Sequence, residues 1–598
     1  MNKITYLDGN RWRIALTSGA YNVLSRQEYL NKINVFPVPD GDTGTNMAFT
    51  LTSILELTKE KNHSDADQML SYFADAALDG ARGNSGVILA QFFQGISDGS
   101  QGVKKMYPKD FANAIKNGSL YARKALATPK EGTILTVITD FSNFINNLIN
   151  SKNHDFESLL NLGIEEAEKS LQNTPNLLPI LKKSGVLDAG AQGFVDLLNG
   201  IFDFIKQGDL KNFKNKLPIQ QTITHSIEKK VESKKSTFRY CTECLIKGND
   251  INHDELRVQL KPHGDSLVIA GSKKKTKVHI HVNKTSKIFE ICTSFGKVTG
   301  EKADDMWKQQ KIKNTNNKSK VAIVTDSGAD ISEENDLDIH VVPVRYNFGS
   351  IDYIDKVSQT PDEFYHELET NSQHPQTSQP TPGDFRRQYE YLQSHYSSII
   401  SIHIPQSMSG TYQSALNASK RINNVKITIK DGFSASVGLG LIVTKIAELA
   451  EKGNTYDEIN NQIDSIIKST SLYVVVKKLD YIVKGGRLPK WVKSIADFLN
   501  FRPIMTTKSN GKMGAAGIIK GKTNLTEKLS KFVINKLDSK KSYNISIGHC
   551  NDLNGAKKLQ SIIQTNQNNI QSINIIDMGC ALGVHAGPGS FAVGIQII

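Results

Sequence analysis

Two lysine-rich, strongly polar stretches interrupt this chain and limit what it can fold into. Lys206 to Lys235 holds eight Lys against three acidic residues, and Lys308 to Lys320 holds five Lys against none. Segments made mostly of Lys, Asn, Gln, Ser and Thr bury too little apolar surface to offset the entropy of ordering them, so both read as solvated connectors. They leave three parts, 1–205, 236–307 and 319–598, joined by linkers at 206–235 and 308–318. A single core is excluded by length as well: 598 residues correspond to three to five domains at about 100–200 residues each.

The same stretches account for ten of the thirteen net positive charges. The remainder is nearly neutral and offers no extended phosphate-tracking surface, so nucleic acid is not expected as a partner, and an acidic membrane surface only transiently. Five Cys, at 241, 244, 292, 550 and 580, do not form the dense, even framework of a small secreted domain, which points to a reducing compartment. The opening segment lacks the apolar core of an export signal. The longest uncharged run, Met578 to Ile598, is broken by His585 and by Gly587-Pro-Gly589. A cytoplasmic protein without a spanning helix is the expectation.

In the first part, Ser64–Asp79, Lys109–Leu126, Ile134–Ile149, Phe156–Gln172 and Gly193–Lys206 carry apolar residues at helical spacing, which predicts an all-α domain. The middle part alternates β-rich runs (Thr237–Leu245, Ser266–Ala270, Lys277–Val282) with helical stretches (His253–Leu260, Ser286–Phe295), predicting a small α+β unit. The third part opens on the apolar strand Lys320–Asp326. Similar strands at Ile399–Ile404 and Ser546–His549 each lead into a loop and a helix, an α/β pattern.

Four segments of the first part carry chemistry. In Asn34-Val-Phe-Pro-Val-Pro-Asp40-Gly-Asp42-Thr-Gly-Thr-Asn46, Asp40 and Asp42 are two residues apart, and extended backbone points both carboxylates the same way. Hard oxygen ligands so placed suit Mg²⁺, which completes its shell with water and substrate phosphates; a Pro/Asp/Gly turn with capping carboxylates is the plainer reading. Gly80-Ala-Arg-Gly-Asn-Ser85-Gly86, Glu131-Gly-Thr133 and Asp188-Ala-Gly190 each precede an apolar run. Free N–H groups at such helix starts bind anions, although the same residue types also serve as simple caps.

Taken together, VFPVPDGDTGTNM, GARGNSGVILAQFFQG, EGTILTV and SGVLDAGAQGF make the first part resemble the ATP-binding L domain (DhaL) of dihydroxyacetone kinases, and more closely the N-terminal domain of bacterial fatty acid kinases. The resemblance implies an all-α helical barrel with ATP at one end and magnesium ions on Asp40 and Asp42. Dihydroxyacetone kinases place a further Asp upstream, where this chain has Asn34. The nucleotide positions implied are Thr43, Gly44, Asn46, Ser85, Gly86, Thr133, Asp188 and Gly190.

In the middle part, Lys277-Val-His279-Ile-His281 puts two imidazoles on one face of a strand, and Cys241 supplies a thiol on another. Zinc takes both donor types, so Cys241, His279 and His281 form a candidate ligand set; a half-exposed His-x-His strand beside an ordinary Cys is the alternative. YCTE, GDSLVIAG and KVHIHVN resemble the central domain of fatty acid kinases, which implies a zinc there.

The third part is punctuated by Val324-Thr-Asp326-Ser-Gly-Ala-Asp330, Gln376-Thr377-Ser378, Ser407-Met-Ser409-Gly410-Thr411, Gly485-Gly-Arg487 and Gly583-Val-His585-Ala-Gly587. Hydroxyls, one Arg and one His beside Gly can hold a carboxylate, though Ser/Thr-rich loops are commonly only turns. These motifs resemble the DegV family, including the fatty-acid-binding partners of fatty acid kinases. That resemblance implies Thr377 and Ser409 at the lipid carboxylate, with Arg487 and His585 at the exposed head-group end. Where relatives carry an Arg-containing segment this chain has Ile518-Ile-Lys520-Gly-Lys522, a point charge in place of a planar fork.

The expectation is a multidomain chain: a DhaL-like helical domain, a small α+β middle domain and an α/β DegV-like region. Its expected activity is ATP- and Mg²⁺-dependent phosphorylation of a fatty acid bound by its own third part. A homodimer is expected, with an acyl-phosphate acyltransferase downstream. The alternatives are a lipid-binding protein that senses nucleotide, and a kinase of a dihydroxyacetone-like small substrate.

Overall fold

Apolar residues at helical spacing build the first unit, Met1–Thr315. Its helices are α1 (Gly9–Ser25), α2 (Gln27–Ile33), α3 (Thr43–Thr58), α4 (Ala66–Gly80), α5 (Gly83–Asp98), α6 (Pro108–Ala125), α7 (Ile134–Ser151), α8 (Phe156–Leu177), α9 (Pro179–Ser184) and α10 (Ala189–Gln207). Local chemistry sets several of their ends. Asp8 accepts the Arg11 N–H at 2.9 Å to begin α1, and Asp155 accepts that of Ser158 at 2.8 Å to begin α8; such caps satisfy donors that the first turn leaves open. Phe194 packs edge-on against Phe92 and Phe141 at ring separations of 5.4 and 6.0 Å, at the centre of the buried helix faces.

This computed structural model describes residues 4–37, 39, 41–59, 63–126, 128–151, 155–207, 237–307, 321–332, 337–349, 351–393, 395–422, 425–521 and 523–598. Asp40, Lys522 and most of both lysine-rich connectors lie outside them.

The same unit continues into an antiparallel sheet of order β2-β3-β1-β4, with β1 (Tyr240–Lys247), α11 (His253–Leu260), β2 (Asp265–Ser272), β3 (Lys275–Val282), α12 (Thr285–Phe295) and β4 (Lys297–Asp305). Sheet and helices share one core: Val268 and Ala270 of β2 are buried among the helical side chains. Gln91 Oε1 on α5 accepts the Gly271 N–H at 2.6 Å, and Arg257 donates to the Lys124 carbonyl at 2.8 Å.

The second unit, Asn316–Ile598, is α/β. In chain order it contains β5 (Val321–Asp326), β6 (Ile339–Val342), β7 (Arg345–Phe348), β8 (Ile351–Ile354), α13 (Pro361–Thr370), β9 (Gln376–Ser378), α14 (Pro382–Gln393), β10 (Ser398–His403), α15 (Thr411–Ser419), β11 (Lys426–Asp431), α16 (Ser436–Glu451) and α17 (Tyr456–Lys468). There follow β12 (Thr470–Val475), α18 (Leu479–Lys484), α19 (Lys490–Phe498), β13 (Phe501–Thr507), β14 (Met513–Lys520), α20 (Leu525–Ile534), β15 (Tyr543–His549), α21 (Leu553–Asn566), β16 (Ile570–Asp577), α22 (Cys580–Ala586) and β17 (Phe591–Ile597). A parallel sheet runs β11-β10-β5-β6, a six-stranded mixed sheet β14-β13-β12-β17-β15-β16, and a small antiparallel one β8-β7-β9. Strands β5 and β10 are buried along their whole length, which explains their continuous apolar runs. The fold class is therefore the one expected: helical, then small and strand-containing, then α/β. Among the described residues no helix is long and apolar enough to cross a membrane.

Candidate functional site

Four helix starts share one corner of the first unit. Gly83, at φ +54°, approaches α3 so closely that a methyl group on it would lie 2.3 Å from Asn46 Nδ2. A methyl group on Gly190 would lie 3.1 Å from Ser85 Oγ and 3.3 Å from Ile134 Cβ. Asn46, Ser85, Gly86, Thr133, Asp188 and Gly190 are thus brought together at the starts of α3, α5, α7 and α10. Thr43 and Gly44 open α3 and are buried against α2, where a methyl group on Gly44 would lie 2.2 Å from the Gln27 carbonyl oxygen.

These starts are not open donors throughout. Asp188 Oδ1 accepts the Ile134 N–H at 3.0 Å and that of Ala191 at 2.8 Å, so one carboxylate caps both α7 and α10. Burial raises its pKa to about 6, against the pull of backbone hydrogen bonds from Ala191, Ile134 and Gly190. The first N–H of α5 is taken too: Gly83 donates to Glu243 Oε1 at 2.8 Å. Part of the anion-binding capacity inferred from sequence is therefore used internally. Asn34 is buried at the end of α2, and Asp42 is half-buried immediately before α3.

Asp42 lies within electrostatic reach of the second cluster. Burial pushes the Cys241 thiol well up; Lys302 opposes this, and Glu243, Asp304 and Asp42 add to the rise. One potential ligand atom from each of Cys241, His279 and His281 lies within 4.8 Å of the others, and Cys241 Sγ is 3.8 Å from His279 Nδ1. Strands β1 and β3 pair Cys241 with His281 and Glu243 with His279, so residues two apart on each strand put four side chains on one face.

Glu243 was not among the residues singled out from sequence. It is fully buried, its Oε1 lies 3.1 Å from His279 Nδ1, and its Oε2 lies 3.5 Å from both Arg82 and Lys277. Burial alone would raise its carboxyl, but Lys302 and Lys277, together with the His279 hydrogen bond, hold it well below the usual range. Burial in turn lowers Lys277 to about 8, despite the charge of Glu243. The spacing Cys241-x-Glu243 puts Glu243 on the Cys241 face of β1, but only the β1–β3 register sets it opposite His279.

In the second unit, Thr377 on β9 lies with its Oγ1 3.1 Å from His585 Nε2 at the end of α22. Burial lowers His585 to about 4, with Arg487 and His374 adding to the effect, so the ring is neutral at ordinary pH. A methyl group on Gly485 would lie 2.1 Å from His585 Nδ1, which sets the exposed Gly485-Gly-Arg487 turn beside this imidazole. Ser409 is bound locally, its hydroxyl 2.8 Å from Thr411 Oγ1. Gln379, two residues after Thr377, abuts Gly410, where a methyl group would lie 2.1 Å from its Oε1. Thr377, His585 and the Arg487 turn form one group, and Ser409 adjoins it through Gln379.

Residues 37–203 match the DAK2 domain, 237–313 a middle domain described as fatty acid kinase A-like, and 320–597 the family described as "Uncharacterised protein, DegV family". The chain thus joins a DAK2 domain, a fatty acid kinase A-like middle domain and a DegV domain in one polypeptide. Protein YloV of Bacillus subtilis is 34% identical over 315 residues, covering 51% of this chain and 57% of that protein. An uncharacterized protein of Staphylococcus saprophyticus is 33% identical over 314 residues, covering 52% and 57%. The chain therefore spans little more than half the length of these curated relatives. Among solved structures, a DegV family protein from Thermus thermophilus described as fatty acid binding is 25% identical, with 47% of this chain and 100% of that chain covered at a TM-score of 0.44.

Proposed function

We propose that this chain transfers the γ-phosphoryl group of ATP to the carboxylate of a fatty acid held by its own DegV domain. The succession of a DAK2 domain, a fatty acid kinase A-like middle domain and a DegV domain in one polypeptide supports this reading most strongly. The corner formed by Asn46, Ser85, Thr133, Asp188 and Gly190 would take the nucleotide. Asp42, a hard oxygen donor before α3, would hold Mg²⁺ with Asp40, and Asn34 is the side chain this chain has where dihydroxyacetone kinases place a further Asp. Bound magnesium would neutralise and orient the triphosphate.

Thr377 and Ser409 hold the acceptor carboxylate. His585, neutral at pH 7, acts on it as a hydrogen-bonding group, while Arg487 supplies the countercharge. A carboxylate oxygen attacks the γ-phosphorus, the bond to the bridging oxygen breaks, and acyl phosphate and ADP form. Simple carboxylic acids are ionised above about pH 4–5, so no general base is needed. The product is a reactive mixed anhydride, which an acyl-phosphate acyltransferase would consume.

Cys241, His279 and His281 would hold zinc. Their Sγ–Nδ1 separation of 3.8 Å is near the roughly 3.6 Å expected of two ligands on one tetrahedral zinc. The ion would crosslink β1 and β3. On α19, Trp491 and Phe498 are 65% and 88% exposed, beside Lys484, Arg487 and Lys490, which favours transient contact with an acidic membrane surface. We place this exchange in the cytoplasm.

Mass spectrometry of the purified chain tests the lipid half: a co-purified long-chain fatty acid is expected, and a small polyol substrate with no lipid would overturn it. Mixing an Asp40→Ala chain with a Ser409→Ala chain tests the dimer, since activity recovered on mixing requires transfer between chains.

A further inference from the structure

The turn Asp326-Ser-Gly-Ala-Asp330 takes no part in the reading above, yet it touches both segments that carry the head-group residues. Asp326 and Asp330 are buried. Asp326 Oδ2 lies 3.0 Å from His403 Nδ1 and accepts the Ile404 N–H at 3.1 Å, which fixes the end of β10 just before the loop that bears Ser409. Asp330 reaches another element. Its Oδ1 accepts the Gly579 N–H at 2.9 Å and lies 2.8 Å from Lys356 Nζ, while its Oδ2 accepts from Ser436 Oγ at 2.7 Å. Gly579 immediately precedes α22, and Asp355 Oδ1 accepts the Ala581 N–H in the first turn of that helix at 3.0 Å. A methyl group on Gly579 would lie 2.7 Å from Lys356 Cε, so the helix start is pressed onto this pair.

We propose that Asp330, with Lys356 and Asp355, is a positioning residue for the head-group site, holding the first turn of α22 and thereby setting His585 against Thr377. The inference rests on the reading of Thr377 and His585 as lipid-binding residues. A buried carboxylate that accepts several hydrogen bonds and pairs with an ammonium group is a stiff anchor. Helix α22 has seven residues, so at about 1.5 Å per residue its two ends are roughly 10 Å apart, and a tilt at Gly579 displaces the imidazole.

Asp330→Asn keeps the shape and one acceptor oxygen but removes the charge, whereas Lys356→Gln leaves Asp330 intact and removes its cation, together with the hydrogen bond that Lys356 donates to the Ala329 carbonyl at 2.7 Å. Both are made in the full chain, with thermal unfolding recorded as the measure of general stability. Histidine-labelled NMR follows His585, and a fluorescent fatty acid analogue reports lipid release. Both variants should stay folded, shift the His585 resonance, move its titration up toward the ordinary histidine range and release the analogue about tenfold faster. An unchanged His585 titration in folded Lys356→Gln overturns the proposal, and that variant decides alone if Asp330→Asn does not fold. A wild-type chain that takes up no analogue sinks the lipid reading, while the His585 signal still judges the positioning.

Discussion

Glu243 Oε1 accepts the Gly83 N–H at 2.8 Å, so a buried carboxylate of the middle sheet caps the helix that opens the candidate nucleotide corner. The same side chain faces Arg82, Lys277 and His279. Removing one partner of such a cluster leaves buried cations uncompensated, and Glu243→Ala should destabilise the first unit by about 3–5 kcal/mol in denaturant unfolding. A loss below about 1 kcal/mol would mean that these ion pairs contribute no net stability. The folded carboxyl is held below its ordinary value of 4.5, so this contribution is fully present above that pH and is lost on acidification through the lower folded value.

Asp188 has the opposite sign. Its folded pKa is raised from 3.8 to about 6, so its contribution to stability is fully present below about pH 4 and is lost as pH rises through 6. Unfolding free energy measured against pH should therefore fall across that window by on the order of 3 kcal/mol from this residue. Asp188→Asn, which keeps an acceptor for Ile134 and Ala191, should flatten the profile. An unchanged slope in the variant contradicts the burial argument.

Much of this architecture can be read from local pattern. The stretch Lys109–Leu126 became α6, His253–Leu260 became α11 within the same limits, and Lys277–Val282 became most of β3. Strand β4, KVTGEKADD, has neither apolar alternation nor continuous burial and exists through its pairing with β1, so local pattern could not reveal it. Glu243 escaped notice for a related reason, because only the β1–β3 register sets it opposite His279. Thr377 and His585 are 208 positions apart, and their meeting was legible only through the motif resemblance.

Zinc is testable without turnover. Metal analysis of the full chain should find about one zinc per molecule, and Cys241→Ser or His279→Ala should lose it and melt at lower temperature. A zinc-free chain whose melting is unaffected by added zinc or by Cys241→Ser would leave the cluster as ordinary packing.

The exposed face of α19 predicts vesicle dependence. Exchange of a fluorescent fatty acid should be faster with acidic than with neutral vesicles, and Trp491→Ala with Phe498→Ala should slow it several-fold without changing equilibrium affinity. Equal rates on both vesicle types would remove the membrane contact.

Formation of an acyl phosphate tests the central claim most directly. The full chain is incubated with ATP, Mg²⁺ and oleate, and the product is trapped with hydroxylamine as oleoyl hydroxamate. Wild type should yield hydroxamate in step with ADP, while Asp42→Ala should yield none and still retain oleate. ATP bound without hydroxamate, or undiminished product from Asp42→Ala, would contradict the account.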